Sequence, residues 1–236
     1  MKPAALIALN FVREHRWPVM ILFAWIVLAA LAVGAINRHN LIPDDVAFYV
    51  QEQAVYIAVF SAFLAADAIH NERKSRRLLL VLSKAVSRRE YLFSVTLGAC
   101  GMAFAYTLAF GLCTLWLTQR AMVSSAPVLP LMLLVVAGAT TAATVALFFS
   151  TFLNPYAATA LTLVLFTGPG AIQVQQHAWS AWLPGLPVMV DVLHFGFFHG
   201  WSFRWYVPVI ALVESAVFWW LAVLVFERRD IAVPVE

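Results

Sequence analysis

The chain has 236 residues, 63% of them hydrophobic and 11% charged, where soluble domains run near half and a quarter. That balance excludes a soluble globular protein, because no stretch between the apolar runs is long enough to bury a core of its own. The formal net charge is +3, and a basic balance in such a chain points to anionic lipid headgroups rather than nucleic acid.

Residues 3–16 carry Leu6, Leu9, Phe11 and Val12 beside late basic residues, and predict a short amphipathic helix lying at the cytoplasmic interface. Residues 17–36 form the first span. The run is about as long as a full transmembrane helix and exceeds the roughly 7–15 residues of a signal-peptide core, so it is expected to stay uncleaved. Five more spans follow at 46–70, 91–117, 128–150, 155–172 and 206–226. With the N-terminus inside, the cytoplasmic segments hold twelve of the fifteen Lys and Arg residues. Only Arg38, Arg120 and Arg204 fall outside, so the predicted fold is an all-α membrane protein of six spans with both termini cytoplasmic.

The fifth span carries its own punctuation. Asn154-Pro155 supplies an N-cap followed by proline at the first helical position. Gly168-Pro169-Gly170 then interrupts the run after about 13 residues, a break tolerated at membrane depth only where protein or water satisfies the freed backbone groups. Residues 170–205 are long and aromatic, with Trp179, Trp182, Trp201 and Trp205. They predict short re-entrant or interfacial helices in the outer leaflet. Cys100 and Cys113 lie in one span and read as small buried hydrophobes rather than a disulfide framework.

Few residues could carry chemistry. The sequence has no G-x-x-x-x-G-K-[ST] phosphate loop, no H-E-x-x-H, no nucleophile elbow and no Cys-x-x-Cys pair, so no catalytic residue is assigned. His194 and His199 lie five apart, with His177 upstream. They admit two readings, ligands for a metal or haem or interfacial histidines of an aromatic belt, and no carboxylate or Cys completes a ligand set. Glu214, inside the last span, must face protein or a water-filled cavity. It reads either as a substrate-path residue with Thr140 and Thr141, or as a hydrogen-bond partner of Thr140, Thr141 or Thr144. Asp67 is expected to pair with a basic residue at the cytoplasmic interface. Gly98 and Gly101, and the run from Gly138 to Ala143, are small faces where helices approach closely.

The most informative segment is residues 71–90, NERKSRRLLLVLSKAVSRRE, which holds seven of the fifteen basic residues around an apolar centre, residues 78–82. It resembles the cytoplasmic loop between spans 2 and 3 of the ABC type-2 permease family, approximately E-x-x-x-G-T-L-E-L-L-L-S-x-P-V-S-R-x-E. Glu72 opens it; Leu78, Leu80, Leu82 and Ser83 follow in register; Val86-Ser87-Arg88-Arg89-Glu90 closes it. Arg76-Arg77 stand where the family has Gly-Thr, Leu79 where it has an acid, and Ala85 where it has Pro. A second likeness is Phe226-Glu227-Arg228-Arg229-Asp230-Ile231, similar to the F-x-R-R-D-[LI] with which the family closes its sixth span. Leu153-Asn154-Pro155 and the Trp/Pro-rich outer segment look most like permeases of multi-copper enzyme maturation.

The resemblance implies the membrane subunit of an exporter-type, ATP-driven transporter in a bacterial cytoplasmic membrane. Such a subunit is half of a homodimeric or heterodimeric permease and works with two ATPase subunits. ATP and Mg would sit on those partner chains, with no cofactor on this one. Residues 71–90 would contain the coupling helix, with Glu72, Arg76, Arg77, Leu78, Leu80, Leu82, Ser83 and Arg88 at the ATPase. The leucines would fill a groove and the arginines would meet acids at its rim. Two other readings stay open: a haem- or metal-handling factor built on His177, His194 and His199, and a membrane scaffold or sensor whose basic loop binds anionic lipid.

Overall fold

The computed structural model describes residues 3–36, 41–74, 87–167, 183–197 and 201–228. Every regular element among them is an α-helix: α1 Pro3–Glu14, α2 Arg16–Ile36, α3 Pro43–Lys74, α4 Arg88–Arg120, α5 Val128–Ser150, α6 Pro155–Thr167, α7 Leu186–Leu193 and α8 Tyr206–Arg228. Five of them, α2, α3, α4, α5 and α8, are long and apolar enough to cross a bilayer. The chain is an integral membrane protein. The 13 described residues of α6 rise about 20 Å of a hydrocarbon core of about 30 Å.

Helix starts follow local chemistry. Ser87 caps α4 through a reciprocal box: its hydroxyl accepts from the Glu90 amide at 3.2 Å, and the Glu90 carboxylate accepts from the Ser87 amide at 3.0 Å. Asn154 Oδ1 accepts from the Ala157 amide at 2.7 Å, with Pro155 the first residue of α6. The expected break at Gly168-Pro169-Gly170 lies outside the described residues, which end at Thr167 in α6.

Packing centres on α5, which touches α3, α4, α6, α7 and α8. Its Ala137, Gly138, Ala139, Ala142, Ala143 and Ala146 are all buried, and side chains this small let neighbouring backbones approach. By contrast α2 and α8 are peripheral and present Leu28, Leu31, Val213 and Trp220 outward, as lipid-facing helices do. Tyr49 of α3 stacks on Phe110 of α4 at 6.2 Å and donates its hydroxyl to the Ile26 carbonyl of α2 at 3.2 Å, tying three helices together. Gly98 is where α1 lies flush on α4; a Cβ there would stand 2.7 Å from the Phe11 ring and 3.2 Å from the Ala8 carbonyl oxygen. Gly101, expected to share that role, faces open space, and Gly138 receives Val188 of α7.

The short helix α7 is wedged among α3, α5, α6 and α8. Its N-cap, Gly185, lies against Phe166, so α7 starts at the depth of the last described turn of α6. At its other end the Gln51 side-chain amide of α3 donates to the Phe195 carbonyl at 3.0 Å.

Candidate functional site

The end of α3 and the start of α4, which flank the basic segment, are held in a collar of charged and capping contacts. Arg88, the first residue of α4, sends Nη1 across to the last turn of α8 and donates to the carbonyls of Phe226 at 3.1 Å and Glu227 at 3.0 Å. One guanidinium nitrogen thus serves two neighbouring backbone carbonyls in the last described turn of α8, binding it to the start of α4. Arg89 grips the Glu227 carboxylate in a two-pronged pair, Nε to Oε1 at 2.5 Å and Nη2 to Oε2 at 3.1 Å. Beneath them the Tyr91 and Phe226 rings stack at 6.3 Å.

The other half of the collar is His15, at the bend between α1 and α2. Its Nδ1 donates to the Phe11 carbonyl at 2.9 Å and its Nε2 lies 3.5 Å from Asp67 Oδ2 on α3. Two acceptors facing both ring nitrogens suit the doubly protonated imidazolium, since neutral histidine can donate from only one. Burial works against that charge, but the hydrogen bonds to Asp67 and Phe11 and the charges of Asp67 and Glu14 outweigh it and raise the pKa above its ordinary 6.5. A raised folded-state pKa means that this contribution to stability is complete below pH 6.5 and is lost as pH rises through the raised value. Docking of α1 is therefore expected to loosen on alkalinisation. Trypsin cleavage at Arg13 and Arg16 across a pH series should report this, with the wild-type dependence flattened in His15→Gln; an unchanged profile in that variant would remove His15 from the role.

Of the residues expected at an ATPase contact, Arg88 alone has a described side chain, and it is engaged within the chain at the Phe226 and Glu227 carbonyls. Glu72 falls in the last turns of α3 with its side chain outside the described residues, and Arg76, Arg77, Leu78, Leu80, Leu82 and Ser83 lie outside them too. Glu214, Thr140 and Thr141 do not converge on one point. Thr140 donates to the Ala137 carbonyl at 2.8 Å, and Thr141 Oγ1 lies 3.0 Å from both the Ala211 carbonyl and the Ser215 hydroxyl, joining α5 to α8. Glu214 instead accepts from the Gly185 amide at 2.8 Å. Its carboxylate thus sits at the positive end of α7, and a short helix dipole plus one amide offset the cost of a charge in a spanning helix. None of the threonines offered in the sequence reading is its partner.

His194 is the C-cap of α7 and its Nδ1 donates to the Val190 carbonyl at 2.8 Å; His177 and His199 lie outside the described residues. Among the described residues no three His, Cys, Asp or Glu side chains gather as a metal site would require. Asp191, absent from the residues singled out by sequence, is buried in α7 at 5% exposure and paired with Arg204, while its carbonyl accepts from the Trp201 indole at 3.1 Å. A lone acid inside the apolar run LPVMVDVL is the signal that could have found it. No protein-family model matches the chain, and no curated protein matches it.

Proposed function

We propose that the protein is the permease subunit of an exporter-type, ATP-driven transporter of the ABC type-2 kind, acting as one half of a dimeric permease in a bacterial cytoplasmic membrane. In this reading the chain crosses the bilayer six times with both termini cytoplasmic, α6 and α7 in series supplying the fifth crossing. Residues 71–90 carry the coupling helix, and two ATPase subunits on separate chains bind ATP and Mg. The observation that carries the reading is a contact. The two stretches that resemble the family, Ser87-Arg88-Arg89-Glu90 and Phe226-Glu227, are 138 residues apart at Arg88 and Phe226, yet touch through Arg88 and Arg89. A push on the segment preceding Ser87 would pass directly into α4 and α8, and through Asp67 and His15 into α3 and the bend before α2. Such a joint gives nucleotide-driven closure a rigid route to the spans, which is what a two-state transport cycle requires.

The test is Leu80→Asp. A buried docking leucine replaced by a charge is expected to abolish co-purification of the ATPase while the chain still inserts and resists carbonate extraction. Wild-type recovery of the ATPase with this variant would overturn the assignment.

A further inference from the structure

We propose that the elbow between α1 and α2 is a seat for one anionic phospholipid, its phosphate held by Arg13 and Arg16 and an acyl chain laid along one face of α2. The helices diverge from His15 and leave an open cleft of about 530 Å³, with Arg13, Glu14 and Asn10 on the α1 wall and Arg16, Val19 and Met20 on the α2 wall. Glu14 is engaged by the Asn10 side-chain amide at 3.1 Å, and the two exposed guanidinium groups leave the cleft with a net positive charge. Arg16 also lies 5.8 Å from the centre of the Trp17 ring, which is 63% exposed; an indole stacked under a guanidinium is the pairing expected at headgroup depth.

The depth of the cleft follows from α1 itself. Ala8 and Phe11 are buried against the bundle, while Leu6 and Leu9 remain about half exposed on another face. Exposed leucines on a helix lying beside a spanning bundle place α1 at the boundary of headgroups and acyl chains. Below the arginines Met20, Ala24, Val27 and Leu31 are all exposed and recur at helical spacing, an unbroken apolar track down α2. From Met20 to Leu31 the track runs about 16 Å, close to half of a hydrocarbon core of about 30 Å. A charged seat above an apolar track one leaflet long matches a lipid and not a free phosphate, which would have no use for the track. The inference stands apart from the transport reading and survives its failure.

The full chain, purified in neutral detergent and stripped of lipid, is titrated with dioleoyl phosphatidylglycerol, with phosphatidylcholine and with glycerol phosphate, and bound copies are counted by native mass spectrometry. One phosphatidylglycerol per chain should bind at least tenfold tighter than phosphatidylcholine, and glycerol phosphate should not be retained. Each basic residue near an anionic surface contributes about fivefold, so Arg13→Gln with Arg16→Gln should weaken binding about 30-fold. Met20→Trp, which blocks the track and leaves both arginines in place, should weaken it as well, and this variant carries the test if the double substitution does not fold. Retention of phosphatidylglycerol at wild-type affinity in these variants would assign the lipid to residues 71–90 instead. Glycerol phosphate binding as tightly as the lipid would equally overturn the proposal.

Discussion

Gly185→Val is expected to destabilise the protein by about 3–5 kcal/mol, the sum of a left-handed backbone imposed on a β-branched residue and an overfilled contact. Gly185 has φ 72°, and a Cβ built on it would lie 2.1 Å from the Phe166 ring. That ring is 1% exposed and packed in the core beneath α7. The Gly185 amide also donates to the Glu214 carboxylate, so a shift of its backbone removes a hydrogen bond that holds that carboxylate. Packing, backbone strain and charge therefore fail together, and thermal unfolding in detergent should fall by many degrees. Trimming the obstacle separates the contributions. Gly185→Ala combined with Phe166→Leu should recover most of the packing loss but none of the φ penalty, leaving a residual deficit of about 1–2 kcal/mol. A wild-type melting temperature for Gly185→Val would mean that α7 does not start against α6.

Arg88→Ala should free the last turn of α8. Hydrogen bonds from a charged donor contribute about 1.5–3 kcal/mol, and here two carbonyls lose theirs at once. Amide exchange across residues 223–228, measured in nanodiscs, is expected to accelerate about 10- to 100-fold, with the middle of α8 unaffected. Arg89→Ala is the informative contrast. Arg89 is itself exposed, and pairs at the surface contribute little, so exchange in the same window should barely change. Arg88→Lys should keep part of the protection, because both carbonyls are served by the single Nη1 and an ammonium nitrogen also carries donors enough for two acceptors. Equal effects of Arg88→Ala and Arg89→Ala would show that bulk charge rather than the capped carbonyls fastens α8.

Much of the architecture is legible in the sequence because membrane helices obey length and polarity rules that leave little choice. The first span, the uninterrupted α5 and the Asn154-Pro155 start all follow from runs of apolar residues and their punctuation. Helix ends are less legible: α3 and α4 extend several residues beyond their apolar cores, since the charged turns of Pro43–Lys74 and Arg88–Arg120 lie past the hydrophobic window. Partners across the fold are the real loss. Glu214 marks itself as needing company, but its partner is a backbone amide, and the amide of Gly185 carries no side-chain signature. Pro184-Gly185-Leu186-Pro187 does read as a turn opening a helix. What it cannot convey is that the turn lies beside Glu214. His15 was equally hidden, lost among Arg13, Glu14 and Arg16 as one more interfacial charge, because only the packing of α1 on α4 brings it to Asp67.

The clasp of Arg88 and Arg89 on the end of α8 has a consequence in time. A chain is made from its N-terminus at about 5–20 residues per second, and 138 residues separate Arg88 from Phe226. The root of α4 therefore waits roughly 7–30 s after its own synthesis before its partner exists. Through that interval α2 to α5 can insert and pair, but the end of the bundle that holds the basic segment stays unfastened. Fastening comes only once α8 has been made, so a chain cut or stalled before Phe226 lacks the joint.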